Sequence, residues 1–137
     1  MKRGEREKLP DVRQGVNHKF TIFHMTPEGL KELDGYIRTG CYPDGRLGEI
    51  FLTLGKPGDE NAWADCLCII ISMALQHGMS IDDVFKKLKG QRFIPYGGTS
   101  NAEISQCTSI LDYVARFILA RYSTGTLDEK RAAVDGQ

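Results

Sequence analysis

The stretch from Tyr36 to Lys56, YIRTGCYPDGRLGEIFLTLGK, constrains the fold more than any other part of the chain. Pro43-Asp44-Gly45 sits between two alternating runs. Proline presets φ, aspartate bonds to the nearby backbone, and glycine takes the positive φ that a tight turn needs. Before the turn, Tyr36, Arg38, Gly40 and Tyr42 alternate with Ile37, Thr39 and Cys41. After it, Leu47, Glu49, Phe51 and Thr53 alternate with Gly48, Ile50, Leu52 and Leu54. Alternation on both sides of such a corner predicts a β-hairpin.

The other elements follow from the same kind of pattern. Val16 to Phe23 alternates and reads as a strand. Thr26-Pro27-Glu28 predicts a short helical turn, with Thr26 as N-cap, Pro27 at the first helical position, and Leu30 and Leu33 as its apolar contacts. Ala62 to Leu75 is apolar on almost every side, which predicts a buried central helix capped by Asp59 and stopped by Gly78. Asp65, the one charge in that block, is placed at its solvent edge. Ser80-Ile81-Asp82-Asp83 opens a second helix that runs to about Leu88. Gln91 to Tyr96 is extended, and Gly97-Gly98-Thr99 reads as a flexible turn. Two capping boxes compete to start the last helix, Ser100 with Glu103 and Ser109 with Asp112. The apolar period Ile104, Cys107, Leu111, Val114, Ile118, Tyr122 favours the earlier start. Strands followed by helices predict an α+β fold: an antiparallel sheet of about three strands, near residues 16–23, 36–42 and 47–54, packed on one face by the buried helix, with two further helices.

Composition bounds the function. Lys plus Arg equals Asp plus Glu, 18 each, so net charge gives no pull toward nucleic acid or a membrane surface. The longest apolar stretch, Cys66 to Leu75, is shorter than the roughly 20 residues that a bilayer span needs. No apolar stretch follows the N-terminal charges as it would in a signal peptide. The four cysteines, Cys41, Cys66, Cys68 and Cys107, are therefore expected as free thiols in a reducing cytoplasm. A length of 137 residues predicts one domain, over 9–122, between a charged flexible arm (1–8) and a disordered polar tail (123–137).

Several chemical motifs are excluded. Gly55-Lys56-Pro57-Gly58 lacks P-loop spacing, and Asp59 and Glu60 would repel an anion, so it reads as a structural loop. Cys66 and Cys68 diverge on a helix and have no second ligand pair at zinc spacing. His18, His24 and His77 are scattered, and no metal site or cofactor is expected. Ser109, His77 and Asp112 lack a nucleophile-elbow motif.

Four groups of residues together resemble a known family. They are Asp44-Gly45-Arg46 with Gly48-Glu49-Ile50-Phe51, then Gln76-x-Gly78, then Arg92-Phe93-x-Pro95 with Gly98-Thr99, then Ser109-Ile110-Leu111-Asp112-Tyr113. In this order and spacing the chain resembles the TSCPD domain, found at the C-terminal end of vitamin-B12-dependent (class II) ribonucleotide reductases and as small stand-alone proteins. The naming motif, Thr-Ser-Cys-Pro-Asp, stands here as Thr108-Ser109-Ile110-Leu111-Asp112, with its Cys-Pro centre lost. Leu9, Pro10 and Arg13 match the linker by which such reductases leave their catalytic domain. The resemblance implies an accessory domain without the reaction, since the radical cysteine, redox pair and cobalamin site belong to a large barrel. Two functions are then expected: a non-catalytic accessory or interaction module that docks on a reductase, or a free-standing binder that senses or sequesters a nucleotide.

For the binder, Arg46 and Arg92 would meet phosphates bidentately and Tyr96 would stack a base. Gly98 and Thr99 would allow close backbone approach and supply a hydroxyl, and of Ser109 and Asp112, one turn apart on one face of the last helix, Asp112 would accept a sugar hydroxyl or base amine. In the competing arrangement Arg92 and Asp112 pair with each other, or with Glu49, and tie the last helix to the sheet. A homodimer is also expected, by pairing of sheet edges or by helix packing, because the hairpin and long helix carry more apolar surface than one sheet face covers.

Overall fold

A computed structural model describes residues 4–55 and 59–123. The Lys56-Pro57-Gly58 part of the glycine loop and the tail from Thr124 onward lie outside the described residues. The elements are β1 (Asn17–Thr26), β2 (Gly29–Cys41), β3 (Leu47–Leu54), α1 (Asp59–Gln76), α2 (Ile81–Phe85), β4 (Gly97–Thr99), β5 (Gln106–Cys107) and α3 (Ile110–Tyr122). The fold is α+β, with five strands in the order β3-β2-β1-β4-β5. The hairpin forms as its alternation predicts, β2 pairing β3 from Gly35 with Leu54 to Cys41 with Leu47. A bulge falls at Gly40/Cys41, beside the turn.

The chain divides into two compact units, Met1–Lys19 with Gly35–Ser80, and Phe20–Asp34 with Ile81–Gln137. In the first, β3 alternates as its sequence does: Ile50, Leu52 and Leu54 are buried, while Phe51 and Thr53 are exposed. Against it α1 lays the stripe Ala64, Cys68, Ile71 and Leu75. The polar side chains beside that stripe close the free edge of β3. Asn61 Oδ1 accepts from Leu54 N at 2.8 Å, Ser72 Oγ from Ile50 N at 3.0 Å, and Gln76 Nε2 donates to Gly48 O at 3.0 Å. An exposed strand edge would offer those groups to another strand; here one helix takes them. The helix ends in a Schellman motif, with Met79 N bonded to Ala74 O at 3.0 Å, Gly78 N to Leu75 O at 3.1 Å, and Gly78 at φ 95°.

Two expectations for this unit are corrected. The central helix is not buried all round: Ile69, Ile70 and Met73 are 59%, 64% and 52% exposed, because only one stripe meets β3. The described part of the N-terminal arm is not frayed, since Glu7 N donates to Gln76 O at 2.8 Å and Arg6 Nε to Gln76 Oε1 at 2.7 Å.

The second unit holds β4, β5, α2 and α3. Phe20 stacks on Tyr113 at 4.2 Å between ring centroids, and both are fully buried with Ile22, Phe85, Ile110 and Ile118. Burial raises the Tyr113 hydroxyl to about 12, against the lowering effect of its bond from Asn101. Four sequence expectations fail here. Pro27-Glu28 forms a β-turn between β1 and β2 rather than a helical turn, and Leu30 is exposed. The second helix stops at Phe85. Gly97-Gly98-Thr99 is a strand, with Ile22 opposite Thr99 and Phe23 opposite Gly98. Glycine is required at 97, where φ is 143° and a Cβ would come within 2.3 Å of Phe23 O. The last helix starts at Ile110, not Ser100. Asn101 caps only a 3-10 turn, Ala102–Ile104, and β5 then pairs Gly97 with Cys107.

Candidate functional site

The start of α3 is built from three polar residues. Ser109 Oγ accepts from Asp112 N at 3.0 Å and caps the helix. Asp112, at 0% exposure, accepts from Gly90 N at 2.6 Å and Thr108 N at 2.9 Å. Arg116 closes on the same carboxylate, Nε to Oδ1 at 3.2 Å and Nη2 to Oδ2 at 2.7 Å. Arg116 Nη1 also donates to Gln106 O at 2.9 Å. Thr108 Oγ1 donates to Gln91 O at 2.8 Å and Phe93 N to Thr108 O at 3.1 Å, so the segment before Tyr96 is held against the helix start.

Above this network lies a hollow of about 520 Å³, lined by Arg92, Phe93, Tyr96, Gln106, Thr108 and Arg116 among others. Arg92 is exposed, and no hydrogen bond or ion pair among the described residues holds it. Tyr96 is 53% exposed. Its backbone N donates to His24 Nδ1 at 3.3 Å, and its ring meets the imidazole edge-to-face at 4.8 Å. Lys89 carries a lowered pKa, first from burial and then from repulsion by Arg116. Arg92 and Arg116 both line the hollow, which suits an anion. Cys107 also lines the hollow, but burial pushes its thiol up to about 11, so it is protonated at neutral pH and a poor nucleophile.

Of the residues expected to form a site, Arg92 and Tyr96 share this hollow. Gly98 is engaged in β4, between Phe23 and Gln106. Thr99 donates its hydroxyl to Ile104 O. Ser109 and Asp112 are fully buried beneath, their polar atoms spent on the helix start. Arg46 belongs to the first unit. There it forks onto Glu7 at 3.0 and 2.9 Å, reaches Asp44 at 2.7 Å, and covers the Tyr42 ring at 4.6 Å. Hydrogen bonds from Arg46 hold the carboxyls of Glu7 and Asp44 below their usual range. The expected tie of Arg92 to Asp112 or Glu49 is made by other arginines: Arg116 takes Asp112, and Arg13 takes Glu49 at 3.1 Å. Arg116 was legible as the i+4 partner of Asp112 on a helix. Phe93, Gln106 and Thr108 gave no such signal. Among the described residues, no group of three or more His, Cys, Asp or Glu side chains could hold a metal ion.

The fold is thus α+β, and its last helix is anchored by the half-buried Thr108 with the buried Ser109 and Asp112. A profile of the TSCPD domain matches residues 5–122, and the chain belongs to the TSCPD domain family. It is 37% identical over 121 residues to a vitamin B12-dependent ribonucleotide reductase of Rhodopirellula baltica, covering 88% of this chain and 11% of that protein. The enzymes of the same name from Bradyrhizobium diazoefficiens and Agrobacterium fabrum are each 39% identical over 120 residues, covering 86% of this chain and 9% of each protein. The chain therefore spans about a tenth of the length of these relatives. No solved structure gives a significant match. No helix among the described residues is long and apolar enough to cross a membrane.

Proposed function

We propose that this chain is a non-catalytic accessory module of ribonucleotide reduction that acts in the cytoplasm by docking on a reductase. The proportion of the match supports this most: nearly all of this chain aligns with about a tenth of each reductase. The chemistry of its thiols agrees. Radical and thiol relays need accessible, ionisable cysteines; Cys41, Cys68 and Cys107 are buried, which leaves Cys66 as the one exposed thiol of the four and no exposed redox pair. Burial raises Cys68, like Cys107, to about 11. The test is to add the pure protein to a vitamin B12-dependent reductase and measure co-elution and turnover. Retention on the reductase supports the reading. Ribonucleotide turnover by this chain alone, with cobalamin and a thiol reductant, overturns it.

A second reading rests on the hollow over α3. Arg92 and the outward N–H groups of Arg116 would take a phosphate, Tyr96 or Phe93 would stack a base, and Thr108 would supply a hydroxyl. The ligand would be a nucleotide, sensed or sequestered rather than transformed. In this version Thr108 and Arg116 replace the buried Ser109 and Asp112, and Arg46 takes no part. A thermal-shift panel of mono-, di-, tri- and cyclic nucleotides tests it.

A further inference from the structure

The outer side of α1 leaves a continuous apolar stripe uncovered. Trp63, Cys66, Ile70 and Met73 are all exposed and follow three-four-three spacing, as the a and d positions of a heptad do. Ile69 flanks the stripe and is exposed as well. Beside it a hollow of about 410 Å³ opens between Ile69 and Met73 of the helix and Phe51 of β3.

We propose that this stripe pairs with the same stripe of a second copy, antiparallel about a two-fold axis passing between Cys66 and Ile70. In an antiparallel helix pair each a position faces a d position. Trp63 then meets Met73 of the second copy, Cys66 meets its Ile70, and the two-fold axis repeats both contacts. Every layer is filled and none is polar, as an interface in which a patch matches itself requires. Antiparallel pairing also sets the helix dipoles in opposition. The indole of Trp63, facing Met73, is placed to enter the hollow beside Phe51.

Other occupants fit less well. The outer edge of β3 is already sealed by Asn61, Ser72 and Gln76, so a second copy has no strand edge to join there. An interfacial membrane helix carries lysines and arginines on its polar face, and α1 has none. The chain's own segment from Thr124 to Gln137 has only Leu127 and Val134 as large apolar side chains. The stripe with Ile69 and Phe51 exposes roughly 500 Å² per chain, so a pair would bury about 1,000 Å², at the lower bound of specific interfaces. An apolar patch of that size is at the upper end of what monomers leave open.

The experiment is multi-angle light scattering on the full chain at micromolar concentration, with wild type, Ile70→Glu and Met73→Glu. Wild type should weigh twice the 15.3 kDa chain. Each variant should give a single-chain particle with an unchanged circular dichroism spectrum, because both side chains are more than half exposed. Trp63 emission should shift to longer wavelength in the variants, and Cys66 should react faster with a maleimide. A wild-type particle of 15.3 kDa overturns the proposal. So does a dimer that survives both substitutions.

Discussion

Arg116 and Asp112 face each other across one turn of α3 as a forked ion pair, 3.2 and 2.7 Å at its two contacts, with Asp112 wholly buried and Arg116 nearly so. The pair does more than join two side chains. Its carboxylate also holds Gly90 N and Thr108 N, and its guanidinium holds Gln106 O. The approach to α3, β5 and the segment after α2 are therefore fixed to one group. The naming motif of the family acquires a structural meaning: Thr108 bonds Gln91 O, Ser109 caps the helix, and Asp112 is the hub.

Asp112→Ala should destabilise the fold by about 3–5 kcal/mol, since it strands a buried guanidinium and two backbone N–H groups. That is a large part of the about 5–15 kcal/mol that holds a typical domain together. Arg92→Ala, at an exposed guanidinium with no hydrogen bond or ion pair among the described residues, should change stability by no more than about 0.5 kcal/mol. Urea denaturation of the two variants checks the contrast. Equal effects would show that the network is not centred on Asp112.

Gly48→Ala should cost about 1–3 kcal/mol by overpacking. A Cβ there would lie 2.6 Å from Leu9 Cδ2 and 2.8 Å from Tyr42 Cε2. The Leu9 tip can give, but the tyrosine cannot easily: its hydroxyl donates to Glu7 O and its ring lies under Arg46. Leu9→Ala in the Gly48→Ala background should recover part of the melting temperature. A Gly48→Ala protein that melts like wild type would show that the ring moves freely.

How much of this was legible in the sequence depended on how local each signal was. The β2–β3 hairpin was, because alternation and a Pro-Asp-Gly corner act within a few residues. β4 and β5 were not: three and two residues are too short to show a period, and β4 pairs with β1, far away in the chain, while β5 pairs only with β4. The Ile104–Cys107 spacing imitated a helix but is spent on a 3-10 turn and a strand. In α1 the composition announced burial, whereas the geometry divides the apolar residues into an inner and an outer stripe. Arg92 and Tyr96, picked by residue type, share one hollow, whereas Asp112 pairs with Arg116 rather than with Arg92.

Arg46→Ala should lower the melting temperature slightly at neutral pH, and the difference should vanish in acid. The hydrogen bonds from Arg46 put the folded pKa of Glu7 and Asp44 below their unfolded values. Such a contribution is complete above the unfolded carboxylate value of about 4 and is lost as pH falls through the lower folded one. Both carboxylates and the arginine are open to water, so the effect is small and screened by salt. Melting curves of the two proteins at a series of pH values should be parallel above about pH 5 and converge below it. A gap that widens in acid would contradict the assignment.

A nucleotide bound over α3 should raise the melting temperature by mass action, because it binds only the folded chain: about 2.7 kcal/mol at a hundredfold excess over the dissociation constant. Arg92→Ala should keep the stability of the free protein and lose that rise, since Arg92 makes no hydrogen bond or ion pair among the described residues to forfeit. Tyr96→Ala should weaken the rise by removing the aromatic face, with pyrophosphate serving as the control for phosphate binding alone. If pyrophosphate stabilises wild type as much as any nucleotide does, the base is not recognised and the site is a bare anion site. If Arg92→Ala responds like wild type, the ligand sits elsewhere on the chain. A flat response of wild type across mono-, di-, tri- and cyclic nucleotides would remove the nucleotide reading and leave the hollow as a by-product of how Arg116 anchors α3.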